Sequence, residues 1–462
     1  MEKEKSLLLA YYGDDFTGST DALEFLTLAG VITILFLKNP TAKDLEHFPD
    51  VQAIGIAGKS RSMSPVEMEA ELSPVFKNIK TLNPAQVHYK VCSTFDSAPH
   101  VGNIGKAIEI GAEIFDQKQV MVSPAAPHLG RYCVFGNLYA KMGTSGDGEI
   151  YRLDRHPSMR HHPVTPATES DLTLHLAKQT EQSIGLINLT TVEAGTKAIA
   201  SAVNAQANKQ ILFFDAFNQT LLKSIGEFFY QSGKEKIVFS VGSSGIEMAL
   251  GLAWQGAGII QTKPTFKNPG KAAPMLVISG SCSPVSAKQI EFAIANGFEE
   301  IALPSEVMDE NFQKEIIENT SQQLLHQLKA NKNIILHTSL GFDDPRIKTT
   351  ENYLQGLGIA KNNIQKESSK RYGKALGLIV KLVLQQVKLQ RILFAGGDTS
   401  SYAASELGIT ALEMIAPLAP GAPLCKAIAD DELVNGLELN FKGGQVGAAD
   451  YFINVLNGEK TI

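Results

Sequence analysis

Short apolar runs rich in Val, Ile, Leu and aromatic residues recur along this chain, with longer amphipathic stretches between them. The runs at 7–12, 31–37, 52–57, 87–91, Val120–Ser123, 184–189, 211–215 and 237–240 read as strands. Their apolar positions are consecutive rather than alternating, which marks strands buried on both faces. The stretches between them, such as 21–29 and 65–79, carry helical spacing. Gly, Pro and Lys break the rhythm at 256–274. It then resumes with strands at 275–279, 300–303, 333–338 and Arg391–Ala395, and helices around 310–330 and 372–388. The pattern predicts an α/β fold in two domains, each a largely parallel sheet flanked by helices, with the active site in the interdomain cleft. The expected boundaries are 1–255, a linker at 256–274, and 275–462.

Length agrees, since 462 residues exceed what one core usually holds. A net charge of -6 argues against a broad nucleic-acid surface, although local cations can still bind a small anion. The four cysteines, Cys92, Cys133, Cys282 and Cys425, form no CxxC pair, which disfavours a disulfide framework or structural zinc and suits a reducing compartment. The first apolar run is far shorter than the roughly 20 residues of a membrane span. A soluble cytoplasmic protein is expected, with no membrane or nucleic-acid partner; homo-oligomerisation is left open.

In a parallel sheet, ligands bind beyond the carboxyl ends of strands, so residues there carry the chemistry. The first strand ends in Gly13-Asp14-Asp15-Phe16-Thr17-Gly18, ahead of a helix expected to begin near Thr20. Paired carboxylates there can accept bonds from polyol hydroxyls, and one can serve as general base; equally they can form a turn and a helix cap. Arg61 follows the run at 52–57 and offers a planar clamp for a carboxylate. Lys90, Ser93, Thr94 and Asp96 follow the run at 87–91, and Arg131 lies in a Pro-His-Leu-Gly-Arg loop. The stretch from Arg152 to Pro166 is dense in Arg and His, including His162, but has no strict metal-ligand spacing and reads as a loop lining the substrate site.

The second half carries glycine- and serine-rich turns. Gly280-Ser281-Cys282-Ser283 follows the strand at 275–279 and precedes a helix, as does Gly396-Gly397-Asp398-Thr399-Ser400 after Arg391–Ala395. Gly443 and Gly444 make a third turn. Such turns expose N–H groups at a helix N-terminus and suit a phosphate-bearing ligand. Walker A and protein-kinase signatures are absent, and no GxGxxG follows the first strand, which disfavours a dinucleotide enzyme. A non-catalytic acid-sugar sensor would need the first set of loops without the second.

Five segments taken together resemble the four-carbon acid sugar kinase family: GDDFTG at 13–18, YKVCSTFDS at 89–97, HPVTP at 162–166, SGSCS at 279–283 and GGDTS at 396–400. The resemblance spans nearly the whole chain in family order. It implies an acid-sugar domain followed by a nucleotide domain, with ATP and Mg²⁺ phosphorylating a hydroxyl of threonate, erythronate or an oxo form. It also implies that Asp14, Asp15, Arg61, Lys90, Ser93, Thr94 and Asp96 face the sugar. One acid of the Asp14-Asp15 pair is expected to be the base, Asp15 by preference, with Asp96 next in line. Ser281 or Ser283, the turn from Gly396 to Ser400, and Gly443 with Gly444 would hold ATP. The chain departs from commoner family versions at Pro127–Tyr132, at Gly443-Gly444-Gln445 and at Asp398, where many members carry Glu. These departures admit a branched oxo-acid such as 3-oxo-isoapionate as substrate.

Overall fold

The computed structural model describes residues 7–142, 148–162, 164–260 and 264–460, without the side chains of Asn362 and Asp398. The chain forms two compact units, the first ending at Thr265 and the second beginning at Phe266.

In the first unit, β1 (Leu9–Gly13), β2 (Thr33–Phe36), β3 (Ala53–Ala57), β4 (Gln86–Lys90) and β5 (Val120–Ser123) match predicted strands to within a few residues. A small antiparallel sheet follows: β6 (Arg131–Val134), β7 (Asn137–Lys141) and β8 (Ile150–Arg152). The main sheet then gains β9 (Ile184–Ile187), β10 (Ile211–Phe214) and β11 (Val238–Gly242). Its order is β2-β3-β1-β4-β11-β5-β10-β9, and every pairing is parallel. The chain leaves β1 towards β3 and β2, and leaves β4 towards β5, so the order reverses between β1 and β4. α/β sheets open a ligand crevice at such a point. Register sets Gly13 beside Ala57 and Lys90, and Lys90 beside Gly242, in one row at the carboxyl edge.

Aromatic packing holds this edge from below. The Phe76 ring meets Tyr12, Tyr89, Phe115 and Phe239 with centroids 5.5–6.4 Å apart. Truncating such a ring costs about 3–5 kcal/mol. The first helix differs from expectation: it starts at Phe16, with Asp15 as N-cap, rather than near Thr20.

In the second unit, β12 (Leu276–Ser279), β13 (Glu299–Ala302), β14 (Ile334–His337) and β15 (Arg391–Ala395) were expected. The strands β16 (Ile409–Ala419), β17 (Ala422–Ala429) and β18 (Glu438–Lys442) were not. The order is β13-β14-β12-β15-β18-β17-β16, parallel through β18 and antiparallel beyond it. Between β12 and β15 the order reverses as it does between β1 and β4. Here the edge row is His337, Ser279, Ala395 and Lys442.

Candidate functional site

Beyond the edge of the first unit, Asp14 and Asp15 share one guanidinium. Arg61, on the short turn Ser60–Ser62 after β3, donates Nε to Asp14 Oδ2 (3.1 Å) and Nη2 to Asp14 Oδ1 (2.8 Å). Its Nη1 donates to Asp15 Oδ2 (2.9 Å), and its Nη2 lies 2.9 Å from Asp15 Oδ1. The main chain fixes the arrangement, because Asp14 N–H donates to the Lys90 carbonyl (2.8 Å) and Arg61 N–H to the Asp14 carbonyl (3.0 Å).

The two acids have different surroundings. Asp15 also accepts from Thr17 Oγ1 and Gly18 N–H, both at 2.8 Å, and caps the helix Phe16–Ala29. A carboxylate offers about four lone-pair sites, and four donors fill those of Asp15. Burial pushes its pKa up, but the charges of Arg61 and Lys90 with these donors win and hold it below the usual range. Asp14, 2% exposed, accepts only from Arg61 and keeps capacity for a further donor. Burial raises its pKa, Arg61 opposes and neighbouring Asp15 adds to the rise; the net direction is up. Asp14 is thus the acid with acceptor capacity to spare, whereas the donors around Asp15, the acid expected to be the base, fill its oxygens.

Lys90 is also committed within the protein. Its buried ammonium donates to the Val91 carbonyl (3.1 Å) and stands 3.5 Å from Asp21 Oδ2. Burial opposes its charge, but Asp21, Asp14, Asp15 and Glu247 raise its pKa. A Cβ on Gly18 would come within 2.4 Å of Asp15 Oδ1 and 3.1 Å of Lys90 Nζ, so a side chain there would displace the Asp15 carboxylate from its donors. Beneath lies a fully buried pair, His88 Nδ1 to Glu247 Oε1 at 2.6 Å. With Arg61 and Lys90 countering protein carboxylates, the expected substrate-carboxylate clamp has no spare charge at either residue.

Arg131 differs from both. Its Nη1 donates to the carbonyls of Leu129 (2.7 Å), Gly130 (3.4 Å) and Lys141 (3.1 Å), and it pairs with no carboxylate among the described residues. Its Nε is buried without a hydrogen-bond partner. Burial lowers its pKa, while Cys92 and Asp96 act the other way. Cys92 also acts electrostatically on Arg61, so both guanidiniums feel the same thiol. Burial, aided by Asp96, pushes that thiol up to about 12.

Thr94 and Asp96 line a small hollow with Ser97, Thr165, Glu169 and His175. The loop reaches it through a left-handed Phe95 (φ 57°), and Ser93 precedes it, half-buried. His162 Nδ1 accepts from Thr165 N–H (3.0 Å) and fixes the turn at Thr165 rather than aiming that nitrogen at a ligand. Pro163 of this segment lies outside the described residues. Sequence reading missed His175, whose Nε2 meets Ser97 Oγ at 2.9 Å; a histidine inside a short amphipathic helix gives no signal.

In the second unit the three glycine turns converge. Gly280 N–H donates to the Ala395 carbonyl and Gly396 N–H to the Lys442 carbonyl, both at 2.9 Å. Gly396 has φ 134°, and a Cβ there would sit 3.4 Å from the Gly280 and Ser281 backbone; one on Gly280 would strike Thr399 at 2.3 Å. On Gly444 it would come within 2.8 Å of Ser281 Oγ. A Cβ on Gly397 meets nothing within 4 Å, and one on Gly443 only Val446 at 3.5 Å. Close backbone approach thus belongs to Gly280, Gly396 and Gly444, and Gly397 borders open space. Ser283 caps the helix Pro284–Ala295 (Oγ to Val285 N, 3.1 Å), and Ser400 Oγ donates to the Gly396 carbonyl. Asp398 opens the helix Asp398–Glu406; its side chain lies outside the description. Close-approach glycine backbone, hydroxyls, a helix N-terminus and open space fit a nucleotide's phosphates. Sequence reading missed Ser286 and Lys442, both fully buried here.

Comparisons with known proteins match both units to known domains. Residues 9–250 match the model of a sugar-binding N-terminal domain and residues 276–452 that of a nucleotide-binding C-terminal domain. A 3-oxo-isoapionate kinase of Paraburkholderia graminis is 39% identical over 98% of this chain and 94% of its own. A 3-oxo-tetronate kinase of Pectobacterium atrosepticum is 27% identical over 96% and 97%. A solved Haemophilus influenzae protein superposes with TM-score 0.66 at 25% identity, covering 96% of this chain and 98% of its own. A Salmonella typhimurium structure shares the fold, with TM-score 0.75 at 24% identity over 97% and 98% of the two chains. With two consecutive domain matches and a full-length relative at this identity, the chain belongs to the four-carbon acid sugar kinase family, whose members join a sugar-binding domain to a nucleotide-binding one.

Proposed function

We propose that this sugar-acid kinase transfers the γ-phosphoryl group of ATP to a hydroxyl of a branched oxo-acid of the 3-oxo-isoapionate type. The full-length similarity to a 3-oxo-isoapionate kinase carries the substrate choice, against weaker similarity to 3-oxo-tetronate kinases. Asp14 accepts the proton of the attacking hydroxyl, for which its unfilled acceptor sites and raised pKa suit it. Asp15 caps the helix and balances Arg61. Arg131, free of carboxylates among the described residues, takes the substrate's carboxylate. Ser93, Thr94, Asp96 and the segment around His162 meet the remaining hydroxyls.

Ser281, Ser283, Gly396, Gly397, Thr399, Ser400, Gly443 and Gly444 hold the ATP phosphates. A divalent cation, Mg²⁺ in this reading, neutralises charge on the β- and γ-phosphates when bound. No group of three or more His, Cys, Asp or Glu side chains among the described residues forms a protein-built site for it. Mg²⁺ commonly keeps waters and takes only one or two carboxylates besides phosphate oxygens, so it fits as part of the nucleotide complex. In-line transfer then requires the attacking hydroxyl to be aligned with the γ-phosphorus and the leaving oxygen. The cytoplasm suits the four free thiols, and no helix among the described residues is long and apolar enough to cross a membrane.

The test is ADP release over a panel of 3-oxo-isoapionate, 3-oxo-tetronates, threonate and erythronate. The highest kcat/KM is expected for 3-oxo-isoapionate. Preference for a tetronate would overturn the substrate choice, and no ADP release above background with any acid would overturn the reaction.

A further inference from the structure

Most buried cations in this protein face a carboxylate. Arg391, with no exposed surface, holds Glu438 at 2.6 Å, and Lys90 faces Asp21. Lys442, at the carboxyl end of β18, is the exception that stands beside the glycine turns. Its side chain is wholly buried, and among the described residues no carboxylate pairs with it. Its Nζ donates to Ser286 Oγ at 3.1 Å and lies 5.8 Å from the Tyr451 ring centre. An isolated buried charge is costly, and a bound anion is the partner that would offset it.

The hydrogen-bond inventory gives this lysine a direction. An ammonium only donates, so Ser286 Oγ accepts from Lys442 and sends its own proton onward. The acceptors in reach are Ser281 Oγ at 3.0 Å and the Gly444 carbonyl at 3.2 Å. Ser281 Oγ accepts from Ser283 N–H as well (3.2 Å). With Ser286 donating to Ser281, the Ser281 hydroxyl hydrogen is left for an acceptor outside the chain.

We infer that Lys442 and Ser286 are positioning residues of the nucleotide site, a donor relay that orients the Ser281 hydroxyl towards a phosphate oxygen and supplies its counter-charge. This rests on the nucleotide assignment above and adds two residues to it. Burial pulls the Lys442 pKa down to about 7, and a bound phosphate would oppose that pull and hold the ammonium form on which the relay's direction depends.

The test compares inhibition by ADP and by adenosine, each competing with ATP, in the wild-type chain, Lys442→Met and Ser286→Ala. Hydrogen bonds to charged groups imply that ADP weakens roughly 10- to 100-fold in Lys442→Met and less in Ser286→Ala. Adenosine, which has no phosphate, should keep its affinity in both, and KM for the acid sugar should not change. Equal loss of ADP and adenosine would make the residues merely structural and overturn the relay; so would unchanged ADP affinity in both. If Lys442→Met does not fold, Ser286→Ala alone decides on the same criteria. A wild-type chain that binds neither ADP nor ATP would instead remove the nucleotide assignment, and the relay with it.

Discussion

The two units use one strand arrangement for opposite chemistry. In each, the first strand lies between the third and the fourth, and the loops that matter leave the carboxyl edge where the order reverses. At the first unit's edge stand the carboxylates Asp14, Asp15, Asp21 and Glu247, countered by Arg61 and Lys90. The second unit's edge is glycine backbone and serine hydroxyls, with one lysine that has no carboxylate partner among the described residues. Ligand chemistry accounts for the contrast. Polyol hydroxyls must donate their protons to something, which calls for carboxylates, whereas phosphate oxygens only accept and call for N–H and O–H donors. Topology supplies the place and leaves the residue types to decide the ligand.

The comparison breaks most readily at Asp14. Asp14→Asn should lower kcat by about 10²-fold or more with the KM for ATP unchanged, as expected for loss of a general base. Because its pKa is raised, wild-type activity should be present above that raised value and fall as pH drops through it, at a pH above the ordinary carboxylate range. Stopped turnover over a pH series checks this; a kcat within threefold of wild type would return the base to Asp15 or Asp96.

Arg131→Gln tests whether the first site has a second, anion-binding half. Loss of a charged hydrogen bond should raise KM for the acid roughly 10- to 100-fold and leave a neutral polyol analogue unaffected. Equal loss for both would mean the residue only pins the carbonyls of Leu129, Gly130 and Lys141.

On the other side of the comparison, Gly397→Val places a side chain into open space. The melting temperature should hold while the KM for ATP rises several-fold, since the new Cβ occupies room the phosphates would use. Unchanged KM would move the nucleotide towards Gly443.

The smallest effect belongs to Asp15→Ala, which removes a helix cap worth about 1 kcal/mol. The folded pKa of Asp15 is depressed, so its stabilisation is complete above its unfolded pKa and is lost as pH falls through the folded value. Urea unfolding of wild type and variant should therefore converge at low pH. A constant gap across pH would show that the carboxylate's charge plays no part.

The sequence exposed the parallel strands and the motifs at their ends because both rest on local pattern: consecutive apolar residues, then Gly, Asp, Ser or Lys. It concealed β16 and β17 because Pro417, Pro420 and Pro423 read as breakers. The ladder accommodates them through register shifts between Met414 and Ala416 and between Ala416 and Ala419, with the reversal at Pro420-Gly421. It could not separate Asp14 from Asp15, since their difference lies in which donors Arg61, Thr17 and Gly18 aim at each. Lys442 was hidden for a related reason. A lysine before two glycines looks solvated, and only pairing with β15 shows that it is interior.

The register of β4 against β1 and β11 also bears on how this protein can vary in length. Lys90 is level with Gly13 on one side and Gly242 on the other, while Asp14 N–H donates to the Lys90 carbonyl. One residue added or deleted within β4 would turn every side chain in it to the opposite face of the sheet. Tyr89 would leave its aromatic partners, and the ammonium would be carried away from Asp21. Insertions are tolerable in the loops beyond the strands, where substrate preference can be retuned, but not in the few residues that bring Lys90 to the edge. Changes of length are thereby confined to the loops, with the sheet edge as a fixed ruler beneath them.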